Sequence, residues 1–394
     1  MLKMKHGFRD LIKNSYFCNL FSILFEKLSD KSIISFIFFI VMFKIAYIII
    51  STSYFNTADE LFNYNYWSIE ISNYLKNQPH MDLSFIDDSI APFVYLSGFV
   101  YYFFGNNIIF GKLLNLVFHI ISAFLVYKIT ELLFEKRIAI ISLFMFLLLP
   151  SINIWSLFFL RESMIIMMLL LSLLFIIKFY KTNNFVFVII SLFFSYIYYV
   201  MREHIGILLV LIVIFLFLIK IKRSYSVIII LLLVFVVLLL NYNIIDNYSP
   251  KYMIDSIIHE RNFVAEEGGT SRFLDYYKTN NFIDLLLYLP MGIIYFLFAP
   301  FPWNVNSTMM MLYFIDSLIF YLLFPFMIYG IYSALKTKDG LLYCILIFMF
   351  LVAIFYALIE VNVGNLARHK IQFTSIAIIF IAKGINNIFI KGKK

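Results

Sequence analysis

The sequence predicts an all-α polytopic membrane protein, with about ten transmembrane helices and two further broken or re-entrant helices. Three observations carry this. Of 394 residues, 63% are hydrophobic and only 14% charged, against roughly 45–50% and about 25% in ordinary soluble domains. The apolar residues recur in runs close to the roughly 20 residues that span a hydrocarbon core of about 30 Å. Mean hydropathy is +0.92, more apolar surface than a soluble globule of this length could enclose, which also excludes intrinsic disorder.

Residues 1–32 read as a cytoplasmic interfacial segment. Within residues 8–28, Phe8, Leu11, Phe17, Leu20 and Phe25 alternate with Arg9, Asp10, Lys13, Glu26 and Lys27, the mixture of a helix lying in the membrane surface. No apolar stretch with a small-residue cleavage site follows the early charges, so this is not a signal peptide. Residues 33–390 form a single transmembrane domain. Full spans are expected near 33–51, 108–130, 138–157, 163–179, 185–201, 205–219, 226–241, 312–333, 341–359 and 371–390. Two apolar segments are short or broken: 91–104, which opens with Ala91-Pro92, and 283–300, interrupted by Pro290 and Gly292 and stopped by Pro300 and Pro302. Residues 391–394 are a cytoplasmic tail. Cys18 and Cys344 have neither metal-site nor disulfide spacing.

The net charge of +8 reports orientation. With the N-terminus cytoplasmic and both broken segments returning to their side of origin, 20 of the 31 basic residues face the cytoplasm, as the positive-inside rule requires. Only six acidic residues accompany them, so the cytoplasmic side carries +14 and the remainder −6. The basic balance therefore says nothing for nucleic acid. Two long loops, about 52–90 and about 242–282, lie outside.

The chemistry-bearing residues share that outer side. Asp59 and Glu60 follow the first span directly; neighbouring carboxylates can act as a general base or hold a divalent cation. The plainer reading is a solvated helix cap, since Thr57 and Asp59 are both good capping types. Arg161-Glu162 and Arg202-Glu203-His204 bound spans. Arginine suits phosphate because its planar fork donates bidentate hydrogen bonds and keeps its charge, although one interfacial arginine could merely snorkel to headgroups. Arg368-His369-Lys370 precedes the last span, near a helix N-terminus whose dipole favours anions. Trp303, after the second broken segment, could stack on a sugar or sit in the interfacial aromatic belt. Arg272 belongs to a polar cluster in the second loop. No spacing indicates zinc, and no glycine-rich phosphate loop occurs; a divalent cation is compatible with the acidic pair but not required, and the metal, if any, is unknown.

In these residues and their order, the sequence resembles the polyprenyl-phosphate-sugar-dependent glycosyltransferases of the GT-C fold, which include protein O-mannosyltransferases and aminoarabinose transferases. The likeness is clearest over residues 56–165: Ala58-Asp59-Glu60, then Ala91-Pro92-Phe93-Val94-Tyr95-Leu96-Ser97-Gly98, Gly105-Asn106-Asn107, Lys112-Leu113-Leu114-Asn115, Pro150 and Arg161-Glu162. Lys112 stands where relatives often have arginine, and no large extramembrane domain follows residue 390.

The resemblance implies a GT-C-like domain in a bacterial cytoplasmic (inner) membrane with an extracytoplasmic active site. There a sugar passes from a polyprenyl-phosphate donor to a glycan, lipid or protein acceptor, in cell-surface glycan synthesis. Asp59, with Glu60 beside it, takes the catalytic position. Arg161, Arg202, Arg368 and His369 become candidates for the donor phosphate. Glu162, His204, Trp303 and Arg272 become supporting or acceptor-binding candidates. Two other readings stay open: a polymerase joining lipid-pyrophosphate-linked repeat units, and a transporter or flippase for a lipid-linked saccharide.

Overall fold

The computed structural model describes residues 30–52, 56–78, 81–220, 250–267, 279–305 and 307–390. Its helices, in chain order, are α1 (Asp30–Ser51), α2 (Tyr66–Leu75), α3 (Ala91–Phe104), α4 (Ile108–Leu133), α5 (Lys136–Leu148), α6 (Pro150–Leu157), α7 (Glu162–Thr182), α8 (Val186–Met201), α9 (Glu203–Lys220), α10 (Pro250–Glu267), α11 (Phe282–Phe298), α12 (Thr308–Leu335), α13 (Gly340–Ile359) and α14 (Val363–Ile385). A π-helical turn, Glu60–Asn65, leads into α2. Among the described residues, seven helices are long and apolar enough to cross a membrane, or eight if α5 and α6 form one span. The chain is an all-α, multi-pass membrane protein.

Local sequence explains the boundaries. Asn107, Ser307, Asp339 and Asn362 each accept a backbone N–H in the first turn of the helix they open, satisfying donors that have no partner within the helix. α7 ends at Asn183, which is in the left-handed region at φ 58°, a conformation asparagine tolerates better than most residues.

The two segments expected to be short or broken are short, apolar helices of 14 and 17 residues, and the break falls in another run. The 91–104 segment is one continuous helix, because Pro92 sits in its first turn, where a missing N–H costs nothing. The 283–300 segment is also continuous as α11, with Pro290 inside it; neighbouring helices in a membrane bundle re-satisfy what such a proline frees. The 138–157 run, expected as a full span, is instead bent by 54° between α5 and α6. There Leu149 is extended and Pro150 begins the next helix, as the steric bias of the residue before proline favours. The 185–201 segment forms a 16-residue apolar helix, α8. The expected 226–241 span and the interfacial segment before residue 30 lie outside the described residues.

α7 and α14 are the most enclosed of the long helices. α7 packs against α4, α8 and α9, and α14 against α12, α5 and α13. The α12–α14 crossing is backbone-to-backbone: a Cβ on Gly330 would fall 1.8 Å from the Phe380 carbonyl oxygen, and one on Gly384 2.0 Å from that of Phe326. Small residues permit such approach where burial of apolar surface supplies no drive between helices. α1 exposes most of its apolar face, yet Lys44 turns inward. Its Nζ lies 2.9 Å from His119 Nε2 and 3.0 Å from Ser156 Oγ.

Candidate active site

The sequence Thr57-Ala58-Asp59-Glu60 is a capping box. Glu60 Oε2 accepts the Thr57 backbone N–H at 2.7 Å, and Thr57 Oγ1 accepts the Glu60 N–H at 3.2 Å. That reciprocal pair turns Glu60 inward, where it is fully buried. Its Oε1 accepts the Phe159 N–H at 2.7 Å and faces Lys112 Nζ at 3.3 Å. Lys112 also donates to Asn56 at 2.8 Å. Asn115, one turn further along α4, donates to the carbonyls of Phe158 and Leu160. Glu60, Lys112 and Asn115 thus clamp the segment after α1 to the Phe158–Arg161 link, which delivers Arg161-Glu162 to the start of α7. Glu60 does not share a surface with Asp59, contrary to their pairing in the sequence reading. Lys112 holds that buried carboxylate.

Asp59 points the other way and keeps 39% of its side chain exposed. Its Oδ1 accepts from Asn63 at 2.6 Å, and its Oδ2 lies 3.4 Å from Arg368 Nη1. Arg368, on the first turns of α14, donates Nη2 to the Tyr64 hydroxyl at 3.2 Å and Nε to Glu162 Oε1. The same Glu162 oxygen accepts from Arg202 Nη2 at 3.1 Å. A continuous chain therefore runs Asp59–Arg368–Glu162–Arg202, joining residues up to 309 positions apart in sequence. Arg161 stands within electrostatic reach of Tyr64, Glu162, Arg202 and Arg368. Three guanidinium groups thus meet two carboxylates. Several polar atoms here are buried without a hydrogen-bond partner among the described residues: Nε and Nη1 of Arg161, Nε of Arg202 and Oε2 of Glu162. Such orphans are rare in proteins because each costs the desolvation of its group. A cationic excess with spare buried donors is suited to an anion such as a phosphate.

His369 is the next residue on α14. Its Nδ1 is hydrogen-bonded to Glu360 Oε1, and its ring stacks on Tyr356 at 4.8 Å. It lines a neighbouring cleft, with Arg202, Glu260 and Glu360. His204 sits on the rim of that cleft, 3.5 Å from Glu260. Trp303 is 75% exposed and stacks on Phe301 at 4.9 Å, apart from the charged chain. Arg272 lies outside the described residues. Among the described residues no three His, Cys, Asp or Glu side chains gather as a metal site.

Sequence reasoning overlooked three participants: Tyr64, Lys112 as the partner of Glu60, and Glu360. Tyr64 is displaced from ordinary helical spacing by the π-helical turn, which widens the repeat. Burial, with Glu162 second, pushes its phenol above the ordinary range. The capping box was legible in the sequence and would have marked Glu60 as inward-facing. Glu360 carried no signal beyond lying in the polar run before Arg368.

The family model described as dolichyl-phosphate-mannose-protein mannosyltransferase matches residues 91–244. Over these residues the chain is similar to that mannosyltransferase family. The match overlaps the 56–165 resemblance and contains Arg161, Glu162, Arg202 and His204, while Asp59 and Arg368 flank it in sequence. No curated protein and no solved structure matches the chain.

Proposed function

We propose that the protein transfers a sugar from a polyprenyl-phosphate donor to an acceptor hydroxyl at the extracytoplasmic face of a bacterial inner membrane, with inversion at the anomeric carbon. The observation that carries this is the contact of a half-exposed carboxylate, Asp59, with the arginine chain through Arg368. Such a reaction needs a base within reach of the acceptor hydroxyl and cations within reach of the leaving phosphate, on opposite faces of one anomeric carbon, so both must belong to one site.

Asp59 takes the proton of the acceptor hydroxyl as its oxygen forms a bond to the anomeric carbon. The bond from that carbon to the donor phosphate oxygen breaks, and the phosphate leaves with the electron pair. The proton stays on Asp59 until solvent removes it. Arg368, Arg202 and Arg161 stabilise the charge on the departing phosphate, and the spare N–H groups of Arg161 are available for it. Glu162 holds Arg202 and Arg368 in place. Glu60 acts through the Thr57–Asp59 turn and the Arg161 link as a positioning residue.

The test is transfer by purified protein in detergent from radiolabelled polyprenyl-phosphate sugars. Asp59→Asn should abolish transfer with unchanged thermal unfolding. Arg368→Ala or Arg161→Ala should slow it by about 10²–10³, equivalent to roughly 2–4 kcal/mol of barrier. Full activity of Asp59→Asn would sink the assignment. A requirement for an oligosaccharide on a pyrophosphate would favour the polymerase reading. Transfer without any sealed compartment would exclude a role confined to transport.

A further inference from the structure

Beside the arginine chain lies a second cleft, of about 150 Å³. Its walls come from the α8–α9 junction (Met201, Arg202, Glu203, His204), α10 (Glu260), the end of α13 (Phe355, Tyr356, Glu360) and His369 on α14. The volume is on the order of one monosaccharide. Glu360 is 97% buried, at 3% exposure. One of its oxygens is held by His369, while Oε2 has no hydrogen-bond partner among the described residues. Arg202 links this cleft directly to the reacting end, because its Nη2 grips Glu162 while its Nε is likewise buried and unpartnered.

We infer that this cleft is a sugar-ring subsite of the same active site, with the Glu360 carboxyl group, held by His369, as its hydrogen-bonding anchor. The inference rests on the glycosyltransferase reading and extends it to a specificity-determining residue. Three features favour a neutral polyhydroxylated ring over other ligands. Carboxyl groups and basic groups both line the cleft, so a phosphate would meet Glu203, Glu260 and Glu360, and an ammonium group would meet Arg202. The orphan acceptor of Glu360 and orphan donor of Arg202 match a ligand whose hydroxyls both donate and accept. Phe355, Met201 and Ile359 supply an apolar wall for the C–H face of a ring. α10 is fixed beside the cleft: Arg261, fully buried, lies 3.6 Å from the centre of the Tyr288 ring and donates to the Leu358 carbonyl at 2.9 Å. This anchors the helix that presents Glu260 to His204.

The ring could belong to the donor or to the acceptor, and the two are separable. Saturation-transfer NMR with a panel of methyl hexopyranosides and pentopyranosides should show binding of at least one to the full-length protein in detergent, and equally to Asp59→Asn. Displacement by a polyprenyl-phosphate sugar identifies a donor subsite, and persistence beside it an acceptor subsite. Glu360→Ala should weaken binding about tenfold, as expected for a hydrogen bond to an ionisable group, whereas Glu360→Gln should stay within about threefold. Glu260→Ala, at a rim position 47% exposed, should fold normally and weaken binding less. In transfer assays the corresponding KM should rise in Glu360→Ala with kcat largely kept. No glycoside binding, or equal binding by wild type, Glu360→Ala and Glu260→Ala, would overturn the inference. Glycoside binding without transfer would sink the functional reading instead.

Discussion

Replacing Glu162 by Gln keeps the shape of the side chain and removes the charge that two arginines share. Glu162 is 2% exposed, and Arg202 and Arg368 are 15% and 18% exposed, so solvent screens these contacts weakly. At the 3.1 Å separation from Arg202, a unit pair attracts by roughly 5 kcal/mol at an effective dielectric constant of about 20. Much of that offsets desolvation, so the pair itself is worth far less. Its removal is different, because buried arginines then lack their counter-charge, which commonly costs about 3–5 kcal/mol. With an unfolding entropy of about 0.8 kcal/mol/K for a chain of 394 residues, the apparent Tm in detergent, at a fixed scan rate, should fall by about 4–6 °C. Arg368 also loses the acceptor that fixes its Nε, so transfer should fall together with stability. Adding Arg202→Met removes one stranded cation and should recover part of the Tm. A Tm for Glu162→Gln within about 1 °C of wild type, the shift expected from no more than about 1 kcal/mol, would refute the account of Glu162 as the keystone of the arginine chain.

Other consequences can be measured on the same preparations. Glu60→Gln leaves Lys112 buried beside a neutral group and should cost about 3–5 kcal/mol, while the double variant with Lys112→Met should be closer to wild type, as replacement of buried ion pairs often is; thermal unfolding of the four proteins of the cycle decides this. Gly384→Val drives a side chain into the Phe326 carbonyl and should destabilise by about 1–3 kcal/mol or more, as overpacking does, seen as a lower Tm without a specific effect on KM. Burial pushes the Glu360 carboxyl group up to about 8 from its ordinary 4.5. Its folded value being raised, its contribution to stability is complete below about pH 4.5 and is lost as pH rises through about 8. The Tm should therefore decline between pH 5 and about 9, and Glu360→Gln should flatten that decline; an unchanged slope would show that Glu360 does not titrate there.

Composition and run length were sufficient for the all-α membrane class, because a helix must satisfy its own backbone in lipid and a 20-residue apolar run can do so without partners. They placed most helices within a few residues. They misplaced the breaks because a proline reads alike in every context. Pro92 begins a helix, Pro290 lies inside one, and Pro150 separates two that meet at 54°. The outcome depends on whether the preceding residues can continue the helix and what packs alongside.

The candidate site divides in the same way. Residue type alone marked Asp59, Arg161, Glu162, Arg202 and Arg368, since charges at the ends of apolar spans are costly enough to require a reason. Which of them meet was decided only in three dimensions. Asp59 and Glu60 are neighbours in sequence, yet the capping box turns Glu60 into the core towards Lys112 and leaves Asp59 on the surface. Asp59 and Arg368 are 309 residues apart, yet α14 brings them to 3.4 Å. The sequence by itself determined a membrane bundle and its stock of charged side chains, because hydropathy and charge are properties of single residues and short runs. The tertiary structure alone decided the arginine chain and the Glu360–His369 cleft, because helix packing sets those distances and no local period encodes it.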